Sequence, residues 1–202
     1  MIYLRAALLS VAMIGTLMTV SAKETSPSAV VENFQAALIG VMQEAAKLGY
    51  QGRYERLEPA VKQSHDLSQI ARIALGRYWS QLSEQQRTTF VDTFTRLSIA
   101  TYAGQFDGYS GETFKVLSDE HPAADRALVR TLFTEAQGNT RHFDYQLRRE
   151  DDGRWRIINI VVDGVSDLAL KRADYTSILR REGFDTLLAK LQEKIAHYAK
   201  PH

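Results

Sequence analysis

The chain has 202 residues, 25 basic and 24 acidic side chains, and no cysteine. A near-neutral balance argues against a nucleic-acid binder, which needs a basic excess to meet the phosphate backbone. The missing thiols exclude disulfides, thiolate metal sites and cysteine redox chemistry, yet a chain of this length buries a real core without covalent staples.

At the start, Arg5 supplies a positive flank, Ala6 to Val20 carry no charge, and Val20-Ser21-Ala22 offers small residues where a signal peptidase reads them. The run is short, and rich in Ala, Ser, Thr and Gly, for a membrane span of about 20 predominantly apolar residues. The expectation is a signal peptide at residues 1–22, cleaved after Ala22, and one domain over residues 23–202; an uncleaved anchor is the competing reading. Cleavage would remove one Arg and no acid, leaving 24 basic and 24 acidic residues.

Ser26-Pro27 reads as a helix start, since Ser accepts from an early backbone N–H and Pro fits the first helical position. Val31, Phe34, Leu38, Val41, Ala45 and Leu48 then recur at steps of three and four, and Gly49 ends the run. Tyr50 to Val61 predicts a shorter helix stopped near Pro59. Asp66 and Gln69 have capping-box spacing before a third helix whose end Gly76 weakens. Ser83 and Gln86 repeat that spacing before the longest helix, where Phe90, Phe94, Leu97, Thr101, Tyr102 and Phe106 share a face. The glycines from Gly104 to Gly111 break the helical pattern.

From there the period changes to two. Four strands are expected: Thr113 to Ser118, Arg126 to Ala136, Arg141 to Arg149 and Trp155 to Val162. Turns at Gln137-Gly138-Asn139 and Asp151-Asp152-Gly153 join them as an antiparallel meander. Two helices follow, at Ser166 to Arg181 and Phe184 to Tyr198. Helices, then strands, then helices give an α+β class: a four-stranded antiparallel sheet covered by about six helices, able to enclose a hydrophobic cavity.

Chemical motifs are sparse. Gly164-Val165-Ser166 reads as a turn and a helix cap, because Asp163-Gly164-Val165-Ser166-Asp167 lacks the lipase-like nucleophile elbow. The five histidines, at 65, 121, 142, 197 and 202, show no ligand spacing, so no metal site is expected. His142 falls on a polar strand face. Basic doublets at Arg148-Arg149, Arg154 with Arg156, Lys171-Arg172 and Arg180-Arg181 read as solvated faces, or as docking to acidic partners or anionic headgroups.

Two blocks carry a family resemblance. One is residues 153–168, GRWRIINIVVDGVSDL; the other is Leu75-Gly76-Arg77-Tyr78-Trp79, followed by Leu82 to Arg87 and Phe90. In this order and spacing they resemble the MlaC / toluene-tolerance auxiliary family of periplasmic lipid carriers and its hopanoid-associated HpnM branch. The resemblance runs from about Asp66 to Leu191. Asn159 departs from it, standing where the MlaC pattern usually has Asp; so does Asp167, where a hydrophobic residue is common, and Ala169-Leu170-Lys171-Arg172 is closer to HpnM.

The resemblance implies a periplasmic, non-enzymatic carrier of phospholipid or hopanoid-type lipid, with no catalytic residue, metal or cofactor. It would be the soluble component of an ABC-type lipid transport system, meeting an inner-membrane transporter complex and an outer-membrane partner, with transient membrane contact. The expected lipid-lining set is Phe94, Leu97, Tyr102, Phe133, Ile157, Val161 and Val165. The alternatives are a cone-shaped isomerase or dehydratase using Asp163 and Tyr145, or an accessory subunit with no cavity of its own.

Overall fold

The computed structural model describes residues 26–200. The expected signal peptide at residues 1–22 lies outside the described residues. Helix α1 (Pro27–Gln43) starts as the sequence predicts, with the Ser26 hydroxyl accepting from the Ala29 N–H and Pro27 in the first turn. Its face of Val31, Phe34, Leu38 and Val41 is buried. The run is interrupted first at Glu44, and the break expected at Gly49 is also present: within α2 (Ala45–Ser64) Gly49 leaves the helical conformation at φ 60° and ψ −176°, which is open essentially to glycine alone. Pro59 does not stop this helix. Leu57 and Val61, on either side of it, are fully buried, and that packing outweighs the roughly 3 kcal/mol that an interior Pro costs.

Asp66 caps α3 (Leu67–Leu75) by accepting the Gln69 N–H at 2.9 Å. A 3₁₀ turn (Gly76–Gln81) leads to α4 (Glu84–Gln105), which opens on the full reciprocal capping box of Ser83 and Gln86. Gly104 stays helical within α4. After the meander come α5 (Asp167–Glu182), capped by Ser166, and α6 (Phe184–Tyr198).

The sheet is antiparallel throughout, in the order β1 (Thr113–Ala123), β2 (Arg126–Thr134), β3 (Thr140–Arg149), β4 (Trp155–Val162), β5 (Val165–Ser166). It has five strands where four were expected. The fifth is two residues long and exists because Asp163 (φ 49°) and Gly164 (φ 84°) form a two-residue turn of the hairpin-favouring primed kind. β1 extends five residues past the expected Ser118. Register shifts between Val116 and Ser118 and between Glu120 and Ala123 interrupt the alternation by which it would have been recognised.

Helix α1 lies against β1, β2 and β4, α2 and α6 pack on α4, and α5 packs on α3 and β4. The sheet sends Val129, Tyr145, Leu147 and Ile157 into the shared core. The α+β architecture is therefore as the sequence predicts, with helices on one side of a meander.

Candidate functional site

Between β4 and the helices α3 to α6 the core is incomplete, leaving a cavity of about 410 Å³. Leu67 and Ile70 of α3, Phe94 and Leu97 of α4, and Ile157, Ile158, Ile160 and Val162 of β4 form its apolar walls. Phe143, Leu168, Tyr175 and Tyr198 add to the lining. Asp167, Lys171 and Asp174 of α5 and Lys194 of α6 add two acids and two bases to it. Lys171 pairs with Asp167 one turn away, and Lys194 lies 3.6 Å from Asp174. Leu170, beside them in the lining, is exposed.

Each side chain has a structural reason for its position. Phe94 and Leu97 sit three apart on α4 and face inward with Phe90. On β4 a bulge decides which residues reach the cavity. Leu147 pairs with Ile157 and Gln146 with Asn159, so Ile158 has no partner of its own. Beyond it Tyr145 faces Ile160 and Phe143 faces Val162, which turns those two residues toward the lining. Strict alternation from Ile157 would have chosen Val161.

Of the residues expected from the sequence, Phe94, Leu97, Tyr102 and Ile157 meet in the cavity. Phe133, Val161 and Val165 are outside the lining. Phe133 packs its ring against Phe114 at 4.8 Å and Phe143 at 6.0 Å, and Phe143 is the ring that lines the space. Val161 is displaced by the bulge, and Val165 is 53% exposed in β5 opposite Val162. The two residues named for an enzymatic reading are not in the lining either. Tyr145 is buried with its hydroxyl accepting from Gln35 Nε2 at 3.2 Å, and burial pushes its pKa up. Asp163 is spent on the β4–β5 turn, where it accepts the His142 N–H at 2.8 Å.

His65 is the lining residue that sequence reasoning missed most clearly. It follows Ser64 at the end of α2, its ring stands edge-on to Phe34 at 4.8 Å, and its Nε2 lies 3.1 Å from the Tyr102 hydroxyl. Burial, partly offset by a hydrogen bond to Val61 and reinforced by the Lys171 charge, lowers its pKa to about 3. Burial likewise raises the Tyr102 pKa well above the ordinary phenol value. Neither spacing nor pattern marks His65 in the sequence, because its partners come from α1 and α4.

The family model described as MlaC protein matches residues 32–193. The chain belongs to the MlaC family. A curated MlaC relative, the intermembrane phospholipid transport system binding protein MlaC of Haemophilus influenzae, is 29% identical over 122 residues. That match covers 59% of this chain and 57% of the relative, so the chain spans little more than half of the relative's length. Among solved structures, the fold is similar to that of a phospholipid-binding protein from Ralstonia solanacearum in complex with a phospholipid. The TM-score is 0.76 at 22% identity, over 87% of this chain and 99% of that one.

Asn159, which stands where the MlaC pattern usually has Asp, has a local use for its amide. Its Oδ1 accepts from Ser166 Oγ at 3.1 Å and from the Leu168 N–H at 3.2 Å, fixing the first turn of α5 against β4. Its Nδ2 donates to Gln146 Oε1 at 3.1 Å, a bond no carboxylate can make. In this MlaC chain the residue therefore joins the cavity's strand wall to its helical wall.

Proposed function

We propose that this chain is an exported carrier of phospholipid, sheltering hydrocarbon in the cavity between β4 and α3–α6 while the lipid crosses water between two membranes. The observation that carries this is the cavity itself: about 410 Å³, apolar on its walls and charged in one region. Ligand sites of this size are commonly apolar with a few placed polar groups. The cavity also speaks against an accessory subunit that lacks one.

The physical need is large. A diacyl lipid with about 30 methylenes loses on the order of 25 kcal/mol when its chains enter water, at about 0.8 kcal/mol per methylene. Even a barrier of about 20 kcal/mol permits only about 10⁻² events per second. Apolar walls replace membrane contacts with side-chain contacts, and their lack of direction lets the cargo leave again.

The family name of the Haemophilus relative and the bound lipid of the Ralstonia structure support phospholipid as the cargo class. On this reading the chain is periplasmic after cleavage of residues 1–22. It works as the soluble member of an ABC-type system, between an inner-membrane transporter complex and an outer-membrane partner, and touches membranes transiently. Among the described residues no helix is long and apolar enough to cross a membrane. Native mass spectrometry of freshly purified protein, followed by solvent extraction, tests the proposal. Wild type should carry phospholipid, and Leu97→Asp should carry none while keeping its helical circular dichroism. A wild-type extract free of lipid would overturn the carrier reading, and a hopanoid-type extract would change the cargo.

A further inference from the structure

The cavity wall is not uniformly apolar, because His65 and Tyr102 both line it and bond to one another. The direction of each bond in this group follows from counting protons. Ser64 Oγ lies 2.6 Å from the Ala60 carbonyl oxygen and 2.8 Å from His65 Nδ1. A serine hydroxyl has one proton, and two oxygens this close need it between them, so Ser64 donates to Ala60. His65 Nδ1 must then carry the ring proton and donate it to Ser64. Burial keeps the imidazole neutral down to a pKa of about 3, so Nε2 is bare and accepts the Tyr102 O–H over 3.1 Å. With its only proton committed, the Tyr102 oxygen is left as an acceptor, and no donor among the described residues reaches it.

We propose that the Tyr102 oxygen receives a hydroxyl group carried on the lipid, so that the cavity favours a cargo with one hydroxyl on its hydrocarbon body. This rests on the reading that the cavity holds lipid. An unpaired hydroxyl in an apolar space is penalised, whereas a paired one is favoured, so the acceptor reverses the sign of the preference. A single-chain acid is the simplest probe, because its hydroxyl can be placed at several depths along one hydrocarbon chain.

Delipidated protein is titrated with hexadecanoic acid and with its derivatives hydroxylated at carbon 2, 10 or 16. In wild type at least one hydroxylated acid should bind about three- to ten-fold more tightly than the parent, the worth of one net hydrogen bond. In Tyr102→Phe every hydroxylated acid should bind more weakly than the parent binds the same variant, with the variant's circular dichroism and melting temperature as the folding control. If all hydroxylated acids bind wild type more weakly than the parent, the inference is overturned and the lipid cavity stands. The same holds if the preference survives in Tyr102→Phe. If no acid binds wild type, the cavity reading fails and takes this inference with it.

Discussion

His65 has a consequence for stability that is open to direct measurement. Its pKa is about 3 in the folded protein against an ordinary 6.5. Between those values the unfolded chain binds the proton and the folded chain does not. The contribution is therefore fully present above about pH 6.5 and is lost as pH falls toward 3, by up to about 1.4 kcal/mol per pH unit. Urea unfolding midpoints at pH 7.5 and pH 4.5 should drop further in wild type than in His65→Phe, which removes the titrating group; equal drops would refute the assignment. Gln35 offers a second test. Its Nε2 donates to both Thr131 Oγ1 (3.0 Å) and the Tyr145 hydroxyl (3.2 Å) inside the core. Gln35→Leu strands both acceptors and should destabilise the fold by about 1–3 kcal/mol. Neither residue was legible in advance, because each draws its meaning from partners on distant elements. Ser26, Ser83 and Ser166 were legible, because a cap binds a backbone N–H only three residues away.

For the secondary-structure elements, the β4 bulge separates two neighbouring positions that look alike in sequence. Ile160→Asp should empty the cavity, whereas Val161→Asp, which pairs across from Asp144 outside the lining, should leave lipid occupancy intact. Mass spectrometry of both variants reads this directly, and identical occupancies would contradict the register. At α4, a Cβ on Gly104 would sit 2.5 Å from Tyr198 Cδ1. Gly104→Ala must push the end of α6 outward, costing about 1–3 kcal/mol by overpacking, and a lowered melting temperature checks it. Helix periodicity exposed α1, α4 and α6 well, since a three-and-four stripe over many residues survives small irregularities. It failed at Pro59, where tertiary packing carries a helix through a residue that would end it alone, whereas at Gly49 the expected break is present as a non-helical kink. Strand alternation is more fragile: one extra residue flips every side chain beyond it. That is why β1 read too short and Val161 read as inward.

Taken as one molecule, the protein is a meander with its helices gathered on one side and a vacancy where β4 meets them. Filling that vacancy should stabilise the whole. A ligand present at about 100 times its dissociation constant adds about 2.7 kcal/mol, which for a chain of this size raises the melting temperature by roughly 5–10 °C. Solvent-stripped protein should melt lower by that order, and phospholipid vesicles should restore the loss; unchanged melting on stripping would count against an occupied interior. The opposite edge of the sheet is protected differently. β1 carries Lys115, Asp119 and Glu120 and is broken twice in register, both of which discourage a second sheet from adding to it. This overall plan was the most legible level of all, because it needs only the order of element types. The vacancy was not legible, since a missing packing partner leaves no mark in composition.

The bulge gives β4 something a regular ladder withholds, two consecutive isoleucines, Ile157 and Ile158, on the same wall. Removing the codon for Ile158 would leave Leu147 opposite Ile157 and Gln146 opposite Asn159, a continuous ladder in which every later residue keeps its facing. The chamber would lose one side chain from its wall, and β4 would lose the local bend and twist that the bulge imposes. Its capacity can thus be edited by deletion, and a lineage needing room for bulkier cargo has a one-step route to it.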